Sequence, residues 1–128
     1  MTLYETVLFY DFMSEENREK IKKICMETGA KLKLVRPEEY RVPLGFLCYG
    51  NNEQIGEYLS VGNPASPLER PMLLLAGFTE PRLRDFLDKM KSQGVPPVAL
   101  KAVLTEYNAT WDSLALYNEL KKEDEYYH

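Results

Sequence analysis

Two stretches of this chain follow one plan, and that repetition limits the fold more than any other feature. The first has an apolar run from Val7 to Met13, then Ser14-Glu15, an amphipathic segment and Gly29. The second has an apolar run from Met72 to Phe78, then Thr79-Glu80, an amphipathic segment and Gly94. Ser14 and Thr79 are hydroxyl residues placed to accept from free helical N–H groups, so each reads as an N-cap. Gly29 and Gly94 suit the left-handed backbone that ends a helix. Ile21, Ile24, Cys25 and Thr28 in the first segment, and Leu83, Phe86, Leu87 and Met90 in the second, give the stripe of a helix lying on a sheet. Pro81 falls in a first turn, where its missing N–H does no harm. Each half then continues into an apolar strand, Ala30–Val35 and Val98–Leu104. The pattern is βαβ, twice, and both a duplication and shared physics would produce it.

Two such units in series predict an α/β (α+β) fold, a ferredoxin-like βαββαβ sandwich with strand order 4-1-3-2. In that order strands one and four are neighbours, and strand two is an edge. The alternation of Lys31, Leu32, Lys33 and Leu34 fits an edge, because lysine there opposes strand addition. The expected parts are a first βαβ unit (1–35), an insertion (36–70), a second βαβ unit (71–105) and a C-terminal helix with its tail (106–128), all in one domain. The third helix should run from about Trp111 to Lys122, with Glu123-Asp124-Glu125 frayed. Inside the insertion, short helices are expected around Val42–Cys48 and Gln54–Leu59, and Gly62–Pro67 reads as loop. Strands one, three and four are apolar on both faces, which a sandwich with one open face does not explain. The second face should therefore be covered by the third helix, the insertion or a partner subunit. A small Rossmann-like parallel sheet is the alternative.

Composition narrows the classes of function. The 128 residues carry a net charge of −4, which disfavours nonspecific binding to nucleic acid or anionic membrane. Lys20, Lys22, Lys23, Lys31 and Lys33 are explained as a solvated helix face and a guarded sheet edge. Cys25 and Cys48 form no CxxC pair. With no signal-peptide pattern and no run of ~20 apolar residues, a cytoplasmic protein in a reducing compartment is expected. The one histidine is His128, so a histidine base or ligand set is not expected, and no P-loop, GxGxxG, GxSxG or HExxH is present. No cofactor and no metal site are expected.

The stretch from Val98 to Trp111 holds the candidate ligand-binding residues: Lys101, Thr105, Tyr107, Asn108 and Trp111. Lys101 sits inside a strand with both faces apolar, so it should be partly buried and paired. Asp11, at the end of strand one, is the expected partner; the functional reading is an anion contact. Asn108 or Thr110 should cap the third helix, and the same free N–H groups, with Lys101 and Thr105 nearby, could cradle a phosphate or carboxylate. Trp111 reads as a core anchor and Tyr107 as an exposed aromatic. The residues Gly77-Phe78-Thr79, the run from Gly94 to Thr105, then Asn108, Trp111, Leu114 and Glu119-Leu120 are similar to an uncharacterised bacterial family, domain of unknown function thirty-seven eighty-three. The spacing Lys101-x-x-x-Thr105-x-x-Asn108-x-x-Trp111 is its specific part. The resemblance spans Met72–Glu123 and implies a small bacterial α/β protein without an assigned activity. Tyr10-Asp11-Phe12 resembles the acidic strand end of small ferredoxin-like nucleases of the CRISPR adaptation type, which makes Asp11 the one candidate catalytic residue.

The leading expectation is a noncatalytic module that binds a partner protein or a small anionic ligand. A homodimer through the open sheet face or the strand-four edge would fit it. An Asp11-dependent metal phosphodiesterase is the alternative. An RNA-binding module using Tyr4, Phe9 and Tyr10 comes third, and the acidic balance counts against it.

Overall fold

The computed structural model describes residues 4–10, 14–59, 66 and 68–127. Four strands, β1 (Thr6–Tyr10), β2 (Lys31–Val35), β3 (Met72–Ala76) and β4 (Leu100–Val103), form one sheet in the order β2-β1-β3-β4. β1 pairs in parallel with β2, β3 pairs in parallel with β4, and β1 and β3 run antiparallel at the centre. The helices are α1 (Glu15–Thr28), α2 (Leu44–Tyr49), α3 (Asn52–Leu59), α4 (Glu80–Ser92) and α5 (Ser113–Tyr127). Among the described residues no helix is long and apolar enough to cross a membrane.

Both βαβ units form as their sequences indicate. The Ser14 hydroxyl accepts from Asn17 N–H and the Thr79 hydroxyl from Arg82 N–H. Gly29 and Gly94 hold φ of 79° and 81°, a conformation that a Cβ would strain. α1 buries Ile21, Ile24 and Cys25, and α4 buries Phe86 and Met90. Burial pushes the thiols of Cys25 and Cys48 up to about 12, as expected of small apolar side chains rather than reactive ones.

The strand order differs from the ferredoxin-like 4-1-3-2. In that order each βαβ unit is split by a strand of the other, and a short hairpin keeps strand two beside strand three. Here residues 36–71 separate β2 from β3 and include α2 and α3, so no short hairpin sets those strands side by side. Each crossover returns its strand beside its own partner. The sheet is mixed, which also sets aside the parallel Rossmann-like alternative. β4 is an edge, but its neighbour is β3, not β1.

The second face is covered by the chain itself. Leu8, Tyr10, Met72, Leu74 and Leu100 point into a core completed by Tyr40, Val42, Leu44, Leu47 and Cys48 from the insertion and Leu116 and Tyr117 from α5. On the opposite face Val7, Phe9, Leu73 and Leu75 meet α1 and α4. Both central strands are buried along their whole length, so their double-sided apolarity needs no partner subunit.

Two side-chain contacts lock the layers. Tyr10 Oη lies 2.6 Å from Ser113 Oγ, both fully buried, which ties the start of α5 to β1. Arg82 forks onto the Glu5 carboxylate and also donates to Thr28 O (2.9 Å), so α4 grips the end of α1. The Arg82 hydrogen bonds hold the Glu5 carboxyl below its ordinary value. α5 runs on to Tyr127 rather than fraying at Glu123, and Asp124 pairs with Arg70 at 2.9 Å in its last turns.

Candidate functional site

Among the described residues no strand pairs with the outer side of β4, and its peptide groups alternate. Leu104 N–H donates to Leu75 O (2.9 Å), so the residues in step with Leu104 bond inward. In a parallel ladder the residues between them, Lys101, Val103 and Thr105, direct their N–H and C=O groups away from β3. The chain meets part of that edge with one side chain. The Asn108 amide nitrogen donates to Val103 O (3.0 Å), and its amide oxygen accepts from Thr105 N–H (2.8 Å). One amide thus accepts and donates on either side of Leu104, as the peptide of a neighbouring parallel strand would. In return the Thr105 hydroxyl accepts from Asn108 N–H (3.2 Å). Asn108 is buried, and its polar groups are engaged within the turn.

The same turn secures the insertion. α2 begins at Leu44 without a side-chain cap. Its first N–H groups donate instead to this corner, Leu44 to Trp111 O (2.8 Å) and Gly45 to Ala109 O (2.9 Å). Ser113 N–H donates to Tyr40 O (3.0 Å). Trp111 packs half-buried against the core below, as an anchor should. The corner carbonyls therefore cap one helix, while α5 is capped by Asp112, whose carboxylate accepts from Ala115 N–H (2.9 Å). This corrects the expectation that Asn108 or Thr110 caps the helix and that it begins at Trp111. Thr105, Ser113 and Ala115 donate their N–H groups within the chain, which leaves them unavailable to a phosphate. The capping role of Asp112 and the buried contact of Ser113 are what the sequence reading did not assign. The signal was present: an Asp directly before a run of helix-forming residues is a strong N-cap.

Lys101 is exposed, because α4 covers β3 and stops short of the outer flank of β4. The expected burial fails for that reason. The expected Asp11 partner loses its basis too, since β3 stands between β1 and β4. Asp11 itself lies outside the described residues. Tyr107 is 87% exposed at the tip of the turn, as expected. Among the described residues no group of three or more His, Cys, Asp or Glu side chains converges as a metal site would require.

What the structure does assemble is a groove of about 480 Å³ along the β4 edge. Leu83 and Leu87 of α4, with Leu75 of β3 beside them, form one wall, and Leu116 and Leu120 of α5, with Trp111 of the preceding turn, form the other. Val103, 44% exposed, lies between them. Lys101, Asn108, Glu119 and Glu123 supply the polar lining. Three of the five candidate residues, Lys101, Asn108 and Trp111, therefore meet in one place; Thr105 braces Asn108, and Tyr107 stands outside the groove. A second groove, about 610 Å³, lies between α2, α3 and the corner, with Phe46, Tyr49 and Tyr58 in its walls.

Residues 71–127 match the family Domain of unknown function (DUF3783). The DUF3783 segment contains β3, α4, β4 and α5, and every residue lining the β4 groove lies within it. The second groove is built mainly from residues 43–58, outside that segment. No curated protein and no solved structure matches the chain. The DUF3783 match thus singles out the half of the molecule that carries the β4 edge, and it assigns no activity.

Proposed function

We propose that the protein is a noncatalytic interaction module that docks a partner protein on the outer flank of β4. The observation that carries this reading is the groove. An edge strand with exposed Val103 runs between two leucine-rich walls, and the DUF3783 segment builds all of it. Apolar surface left open beside unpaired strand groups is a usual ground for protein docking. The Asn108 amide and the N–H groups of Thr105, Ser113 and Ala115 are engaged within the chain, which leaves Lys101 as a single exposed cation among the described residues of this corner and favours a protein over a small anionic ligand. A photocrosslinking residue at position 103, compared with one at exposed Met26 on α1, tests the reading in cells. The expected result is a defined crosslinked partner from position 103 alone, lost when Leu87 is replaced by Asp. Identical products from both positions would remove the reading.

A further inference from the structure

Resting on that docking reading, the geometry of the edge also determines which strand it accepts. Asn108 holds Val103 C=O and Thr105 N–H, so the outward groups left to a newcomer are those of Lys101 and the N–H of Val103. Two antiparallel registers would join β4 to β4 of a second copy. In the register centred on Ala102, Val103 C=O must accept from the other strand, and Asn108 already occupies it. In the register centred on Lys101, the two Lys101 peptides exchange both hydrogen bonds, but the two Lys101 side chains stand directly opposite on one face. Like charges in that position oppose pairing. Asn108 thus closes one register and Lys101 the other.

A different protein escapes the second block if it sets a carboxylate opposite Lys101. We propose that the β4 edge admits an extended segment of another protein carrying Asp or Glu opposite Lys101, and refuses a second copy of this chain. Charge complementarity supports this choice. On the α4 side of the strand Lys91 and Lys101 stand against Asp88, a positive flank on an acidic molecule, whereas Glu119 and Glu123 line the α5 side and place the incoming acid on the α4 side. Val103 beside Lys101 asks for a small apolar neighbour on the incoming strand.

A charge swap supplies a defined probe, because the chain with Lys101→Glu is itself a strand with an acid in the required place. Sedimentation of wild type alone and of Lys101→Glu alone should show monomers at high micromolar concentration. Their equimolar mixture should form a heterodimer that weakens as salt is raised. Lys101→Thr, which removes the charge and keeps an exposed β-forming residue, should dimerise with itself. A mixture that stays monomeric together with a monomeric Lys101→Thr overturns the proposal, as does a wild-type chain that dimerises through this edge. If mixing fails while crosslinks from position 103 persist, strand pairing is wrong and the docking reading stands. If mixing succeeds and those crosslinks are absent, the edge chemistry stands and the docking reading falls.

Discussion

The two edges of this sheet are protected in different ways. At β2, Lys31 and Lys33 alternate with Leu32 and Leu34; the leucines meet α1, and Lys33 pairs with Glu39 at 2.8 Å beside the 3₁₀ turn Pro37–Glu39. Charge is spread along that whole edge, and lysine there opposes strand addition. At β4 one lysine and one amide do the work, and the amide acts by substitution, since Asn108 makes the bonds that a neighbour would make. Spread charge closes an edge. Local guards leave its apolar flanks exposed. The half with the locally guarded edge is also the half that matches DUF3783.

The comparison can be broken first at Asn108. Asn108→Ala leaves Val103 C=O and Thr105 N–H without their partner, at a cost of about 1–3 kcal/mol. Urea unfolding should show the loss as a lower midpoint with little change in slope. The same variant frees the register centred on Ala102, so it should also self-associate in light scattering. A smaller effect is expected at Tyr10→Phe, which removes the buried bond to Ser113 and holds α5 less firmly beneath the sheet, at about 0.5–1.5 kcal/mol. Calorimetry of Tyr10→Phe checks it, and an unchanged melting temperature would mean that α5 is held by packing alone.

The β2 edge should respond less. Lys33→Ala breaks a partly exposed ion pair, for which about 0–1 kcal/mol is expected. If Lys33→Ala destabilises more than Asn108→Ala in the same assay, the two edges have been ranked wrongly. The smallest effect is a pH effect at the β2 side of the molecule. Arg82 lowers the folded value of Glu5 below its ordinary 4.5. The contribution is therefore complete above pH 4.5 and fades as pH falls through the lowered folded value. Glu5→Gln should match wild type less closely at pH 6 than in the acid range below that value. Equal differences at both pH values would show that the fork onto Arg82 adds nothing.

Much of the fold was legible because it follows from local chemistry. Ser14, Thr79, Gly29 and Gly94 sit where their caps and stops form, and the leucine–lysine alternation of β2 marks an edge. Strand order was not legible, because it depends on how residues 36–71 travel between β2 and β3, and no local pattern records that path. At about 1.5–3 kcal/mol for each fully buried large apolar side chain, β1 and β3 belong at the centre in either order. The candidate site was legible in its residues and not in their roles. The spacing Lys101-x-x-x-Thr105-x-x-Asn108-x-x-Trp111 did mark the corner. The role of Asn108 became visible only when Val103 O and Thr105 N–H were seen to face outward, a fact set by pairing with β3. Lys101 was misread as buried for a related reason: apolar neighbours in sequence do not show how far α4 extends over the sheet.

The claim that Asn108 substitutes for a neighbouring strand is tested most directly by amide hydrogen exchange, read residue by residue by NMR. Thr105 N–H should be strongly protected in the wild type, while Lys101 N–H on the same edge exchanges quickly. In Asn108→Ala the protection at Thr105 should fall to the level of Lys101, with the β1 and β3 amides still slow. A wild-type Thr105 that exchanges as fast as Lys101, or a Thr105 that stays protected in Asn108→Ala, would contradict the account.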